Sequence, residues 1–103
     1  MAVYVYRFGG QRRKAFTVAY PRPWFGLTAD TEDELHPFAQ KLGLNRQLYR
    51  PRTVGGLEVP LVGHYDLSEA ERNRAIAGGA QPLTTREHAK LLKERAAALG
   101  IRL

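Results

Sequence analysis

Residues 64–84, HYDLSEAERNRAIAGGAQPLT, constrain the fold more than any other stretch of this chain. Asp66/Glu69 and Ser68/Glu71 both carry capping-box spacing, in which a short polar side chain and an acid satisfy each other's backbone amides. A helix therefore starts here, ambiguous by two residues, and runs from about Ser68 to Ala77. Gly78-Gly79 closes it, and Pro82-Leu83-Thr84 reads as a short strand. Thr84 with Glu87 repeats the capping spacing and opens a further helix. Its inner stripe is Ala89, Leu92, Ala96 and Leu99, and Gly100 ends it.

The same reading extends upstream. Val3-Tyr4-Val5-Tyr6 is rich in strand-favouring residues and stops at Gly9-Gly10; residues 15–20 form a second such run that can pair back as a hairpin. Pro21 and Pro23 break that run, and residues 24–29 read as a third, more buried strand. Thr31 and Glu34 mark a helix whose apolar face is Leu35, Phe38, Ala39 and Leu42, with Gly43 as its stop. An interior proline loses a hydrogen bond and clashes with the preceding turn, so the regular helix is expected to begin nearer Asp33, leaving Pro37 in its first turn. Residues 48–50 suggest a short strand, and Gly55-Gly56 a turn between residues 52–54 and 57–59. With 103 residues there is room for one domain, residues 1–103. Strand–helix alternation predicts an α/β class: a small mixed sheet with an N-terminal hairpin and about three helices. An α+β arrangement with every helix on one face is the alternative.

Composition narrows the function classes. No cysteine is present, which removes disulfides, thiolate nucleophiles and thiolate metal sites. No apolar run reaches the ~18 residues of a membrane helix, and the N-terminus does not have the pattern of a signal peptide. A cytoplasmic protein without membrane contact is expected. The net charge of +6 is segregated: residues 1–29 hold Arg7, Arg12, Arg13, Lys14 and Arg22 with no acid. Lys41, Arg46, Arg50 and Arg52 then pass without an acid until Glu58. Such segregation can paint a positive face suited to phosphates, although twelve Arg against four Lys also fits a GC-rich genome.

Residues 1–5 (MAVYV), 24–43 (WFGLTADTEDELHPFAQKLG) and 64–84 resemble the short bacterial and phage proteins of domain-of-unknown-function family 4031. The most specific pieces are ADTEDELHPFAQKLGL and HYDLSEAERNRAIAGGAQPLT, and the resemblance covers well over half the chain. It implies no activity, since the family has none assigned. In the family pattern the first strand ends in paired aspartates, where this chain has Tyr6 and Arg7. The Trp24 region carries a Ser-His pair there, where this chain has Phe25-Gly26. His64 and Asp66 keep to the pattern, with Asp30 nearby. If relatives use the aspartates for metal or acid–base work, the resemblance implies that this chain has lost that ability and favours binding over catalysis.

Three functions remain open from the residues. The first is a non-catalytic module binding nucleic acid or a nucleotide through Arg7, Arg12, Arg13, Lys14, Arg22, Trp24, Arg50 and Arg52, cations tracking phosphates while aromatics stack. The second is a bacterial or phage protein-interaction or inhibitory module, with a homodimer through the first strand's edge as one form of it. The third is a small hydrolase with His64 as acid–base group, Asp66 orienting it and an arginine holding an anion; the plainer alternative is that Asp66 caps the helix. His36 and His88 sit on charge-rich helices and are assigned to solvated faces, and the acids 30–34 to a helix start. The glycine pairs lack phosphate-loop spacing, and neither a metal site nor a cofactor is assigned. Replacing Arg12, Arg13 and Lys14 together is expected to weaken nucleic-acid binding and flatten its salt dependence; an unchanged salt slope removes these residues from any interface.

Overall fold

Side chains alternate across a strand, so Val3 and Val5 go to one face of β1 (Val3–Arg7) and Tyr4 and Tyr6 to the other. The fold is built around that split. A computed structural model describes residues 2–7, 24–54 and 56–101. In it β1 is a central strand of a four-stranded mixed sheet ordered β5-β2-β1-β6. It runs antiparallel to β2 (Phe25–Ala29) and parallel to β6 (Gln81–Leu83), while β2 runs antiparallel to β5 (Tyr65–Leu67). Residues 24–29 were expected to form a buried strand, and all five residues of β2 are buried.

The two faces differ in chemistry. Val5, Phe25, Leu27, Ala29, Tyr65 and Leu67 meet Leu35 and Ala39 of α1 (Glu32–Lys41) and Ala75 of α2 (Glu69–Ala77) in one apolar core. Each fully buried Leu or Val there contributes about 1.5–3 kcal/mol. The opposite face carries Tyr4, Tyr6, Gly26, Thr28 and Asp66, and α3 (Thr85–Ala98) lies across it with His88 on Tyr6 and Arg95 over Tyr4. The small mixed sheet with three helices is thus the one expected, an α+β domain whose helices occupy both faces instead of the single face of the alternative. On α3 the inward stripe shifts from the expected residues to 88, 91, 92, 95 and 96, and Ala89 and Leu99 are exposed. A polar sheet face draws His88 and Arg95 inward, which a search for apolar periodicity does not anticipate.

Capping sets the helix limits. Thr31 caps α1 and accepts from the Glu34 amide, so the helix begins at Glu32 and Pro37 lies in its interior. Its exposed ring costs one backbone bond but displaces no core residue. Ser68 and Glu71 form the capping box of α2, and Thr84 and Glu87 that of α3. Gly79 leaves α2 at φ +110°, a left-handed conformation that favours glycine. Among the described residues no helix is long and apolar enough to cross a membrane.

β1 is paired on both sides, so it offers no open edge for the expected dimer; among the described residues β5 and β6 are the outer strands, and Pro82 sits on β6, where an outer position tolerates it. The expected strand over residues 15–20 and its hairpin lie outside the described residues. The strand expected at 48–50 is instead a 3-10 turn, Arg46–Leu48, capped by Asn45, followed by an isolated bridge between Arg50 and His64. β3 (Thr53–Val54) and β4 (Leu57–Glu58) pair antiparallel as a small hairpin, with Gly56 in a turn before β4; Gly55 lies outside the described residues.

Gly63 lies against that bridge, and a Cβ there would stand 2.0 Å from the Arg50 carbonyl oxygen. Backbone cannot yield cheaply, so Gly63→Ala is expected to cost about 1–3 kcal/mol in urea unfolding. A midpoint equal to that of the parent protein would show that the bridge can slide.

Candidate functional site

The site follows from register. Tyr6 lies opposite Gly26, and Gly26 opposite Asp66, so three adjacent strands place one row of residues on the polar face. The absent side chain at Gly26 leaves the room that Tyr6 fills: a Cβ there would stand 2.3 Å from Tyr6 Cζ. The buried Tyr6 ring stacks on His88 at 3.5 Å and 9°, with the His64 ring edge-on at 6.5 Å. Tyr6 and Gly26 are thus direct partners across β1 and β2. Arg7 and Phe25 point to the other side, where with Glu69 and Arg72 they line a cavity of about 330 Å³.

His64 and Asp66 come together as expected. His64 Nε2 lies 3.2 Å from Asp66 Oδ1, and Arg50 Nε donates to Asp66 Oδ2 at 2.9 Å. Because Ser68 caps α2, Asp66 is free of the capping role and serves this cluster instead. Burial alone would push its carboxyl up, but the His64 hydrogen bond and charge, with Arg50, outweigh burial and hold it below the usual value. The loop before β5 is pinned from two directions. Thr28 Oγ1 donates to the Gly63 carbonyl at 2.8 Å, and the Gly63 amide donates to Tyr49 Oη at 2.8 Å. The paired Arg50 and His64 backbones thereby fix both side chains at one end of the polar face.

His88 forms the other wall. Its pKa is lowered to about 4 by burial first, then by the charges of Arg52, His64 and Arg95. Arg95 Nη2 donates to Asp30 Oδ1 at 3.0 Å, and Tyr4 Oη donates to the same oxygen at 3.0 Å. Burial raises the Tyr4 pKa, and Asp30 raises it further. Asp30 therefore departs from the helix-start assignment, whereas Glu32, Asp33 and Glu34 fill the first turn of α1 as expected. Among the described residues three buried side-chain nitrogens on this face, Arg52 Nε, His88 Nε2 and Arg95 Nη1, have no hydrogen-bond partner.

Of the basic residues singled out from the sequence, Arg50 and Arg52 join the cluster, Arg7 does not, and Arg12, Arg13, Lys14 and Arg22 lie outside the described residues. Trp24 is half-buried just before β2. Sequence reasoning missed His88 and Arg95. His88 and Arg95 are seven positions apart with Leu91 and Leu92 between them, an inward stripe with polar ends. His36, also assigned to solvent, is a mostly buried link on the apolar side: Nδ1 is 2.7 Å from Tyr65 Oη and Nε2 is 3.1 Å from Glu32 Oε1. In place of water, both histidines gain aromatic neighbours that the helix sequence alone does not reveal.

A family model described as protein of unknown function (DUF4031) matches residues 14–95, a span that starts after β1 and takes in Gly26, His64, Asp66, His88 and Arg95. No curated protein and no solved structure matches the chain.

The lowered His88 pKa sets the sign of a pH effect. The unfolded imidazole binds its proton near pH 6.5 and the folded one near pH 4. Stability from this group is therefore full above the unfolded value and is lost as pH falls toward 4. The loss is expected to be about 1–2 kcal/mol, allowing for solvent screening around a partly exposed ring. Asp66 adds a further loss as pH falls below the unfolded carboxylate value through its lowered pKa. Urea titrations across this range should show the slope between pH 6.5 and 4, and His88→Phe, which keeps a ring against Tyr6, should flatten it. The same slope in the variant would assign the effect elsewhere.

Proposed function

The chain belongs to the DUF4031 family, whose description assigns no activity, and we propose that it is a small non-catalytic binding protein engaging the phosphates of nucleic acid or a nucleotide. The observation that carries this reading is the convergence of Arg50, Arg52 and Arg95 with His64 and His88 on one face of the sheet. Three guanidiniums against the two carboxylates Asp30 and Asp66 leave an excess of positive charge. Both acids already hold donors in place. Arg50 is 54% exposed along its side chain and His64 20%, so the Arg50–His64 end is within reach of a polyanion.

The aromatics shape what such a surface would bind. Tyr6 is buried against His88 and Gly26, and the Tyr49 hydroxyl accepts from Gly63, so neither ring is an open platform for a base. Phosphate contacts then dominate over stacking, which favours salt-sensitive binding with little sequence preference. Such a role belongs in the cytoplasm. A protein-interaction or inhibitory role has only the exposed Leu48, Leu57 and Leu99 in its favour, and scattered surface leucines are ordinary.

A second reading has one specific observation behind it. Asp66 is released from capping and sits on His64, the arrangement a small hydrolase would use to orient a general base, with Arg50 beside it. Turnover of a phosphodiester that disappears in His64→Ala while binding persists would favour it.

Fluorescence anisotropy of labelled single- and double-stranded DNA and RNA across a salt series tests the binding reading. Submicromolar binding with a steep salt slope is expected, and Arg50→Ala should reduce that slope by about one phosphate contact. Binding no tighter than the micromolar nonspecific level would overturn it.

A further inference from the structure

We propose that Arg52, His88 and Arg95 form a subsite for a single terminal phosphate group, a phosphate monoester, beneath α3. This rests on the phosphate-binding reading and narrows its ligand. Arg52 Nε, His88 Nε2 and Arg95 Nη1 are each buried and, among the described residues, unpartnered. Buried polar groups are otherwise almost always satisfied, and an unmet donor on a charged group costs more than a neutral one. Three such atoms, contributed by the segment after the Arg50 bridge and by two positions of α3, point to a missing acceptor, with His88 donating in its Nε2–H tautomer. His88 and Arg95 lie side by side under α3, on the Tyr6 and Tyr4 rings, and Arg52 follows the Arg50–His64 bridge at the end of the same face.

The acceptor's chemistry follows from the donors. Guanidinium nitrogens only donate, so the ligand must be rich in acceptors and anionic. Asp30 already takes Arg95 Nη2, and Asp66 takes Arg50 and lies beside His64, which leaves the Arg52–Arg95 side in positive excess. A monoester presents three terminal oxygens to donors arriving from different elements. An internal phosphodiester has only two and carries chain on both sides, which keeps it from atoms lying under a helix. Arg52, His88 and Arg95 are half-buried as residues, so part of each side chain reaches solvent although these three nitrogens do not.

Charge coupling supplies the readout. The groups facing His88 are Arg52, His64 and Arg95, with the Tyr6 ring on its face, Asp30 behind Arg95 and Asp66 behind His64. All three direct neighbours disfavour the imidazolium, and a phosphate dianion placed among them would offset that. Imidazole nitrogen NMR on the intact protein should therefore be recorded against pH with inorganic phosphate, a nucleoside 5′-monophosphate, and a dinucleotide having only an internal phosphodiester. His36, on the opposite side of the sheet, is the internal control.

The first two ligands should raise the His88 pKa by about one unit or more, with His36 unmoved and the dinucleotide without effect. Arg52→Gln should weaken inorganic phosphate binding about tenfold. A response to inorganic phosphate alone would still support the subsite and assign it to the free ion. A His88 titration identical with and without phosphate, or moved equally by the dinucleotide, would overturn the proposal. If oligonucleotides bind while His88 stays silent, the subsite fails and the phosphate-surface reading stands. If His88 responds while oligonucleotides do not bind, the subsite stands and polymer binding fails.

Discussion

The absence of a side chain at Gly26 allows Tyr6 to lie across β2, and the rest of the polar face is arranged around that ring. With Tyr6 seated over Gly26, His88 stacks flat against it and α3 is held across the sheet. Arg95, seven residues along the same helix, then reaches Asp30 and covers Tyr4. A close backbone approach of this kind is among the few tasks that only glycine performs. Around that ring, Arg50 and His64 meet on Asp66 at one end of the row, and His88 lies on the ring's face.

The two faces divide the work of the sheet. Leu27, Leu35, Leu67 and Val5 are fully buried on one side, and that apolar core provides the stability against which a less favourable polar face can be kept. On the other side His88 is held neutral in positive surroundings and, among the described residues, three nitrogens go unpartnered, departures that well-packed interiors rarely tolerate. Costs concentrated on one face of a small sheet are what motivates the proposal that this surface binds a ligand.

Much of the fold is legible in the sequence because it is written in local rules. Thr31, Ser68 and Thr84 announce their helices through capping chemistry that involves only neighbours three residues away, and each is an N-cap in the structure. The buried strand before Asp30 is equally local. Pro37 was misplaced because a strong cap at Thr31 outweighs one lost interior bond. The stripe on α3 was misread because apolar periodicity assumes an apolar partner, and the face it covers carries Tyr4, Tyr6 and Asp66. Of the candidate site, His64, Asp66, Arg50 and Arg52 were visible as residues. Their meeting depends on the Arg50–His64 bridge and on the register of β1, β2 and β5, pairings across tens of residues that composition does not encode. His88 and Arg95 needed the structure to be seen as parts of the same site.

Ligand binding is proposed for the polar face under α3. Amide chemical-shift mapping of the isotopically labelled protein, titrated with a short 5′-phosphorylated oligonucleotide, locates it. Perturbations are expected to cluster at residues 50–52, 64–66 and 88–95, with α1 and α2 silent. Perturbations centred on α1 or α2, or none at concentrations far above micromolar, would contradict it.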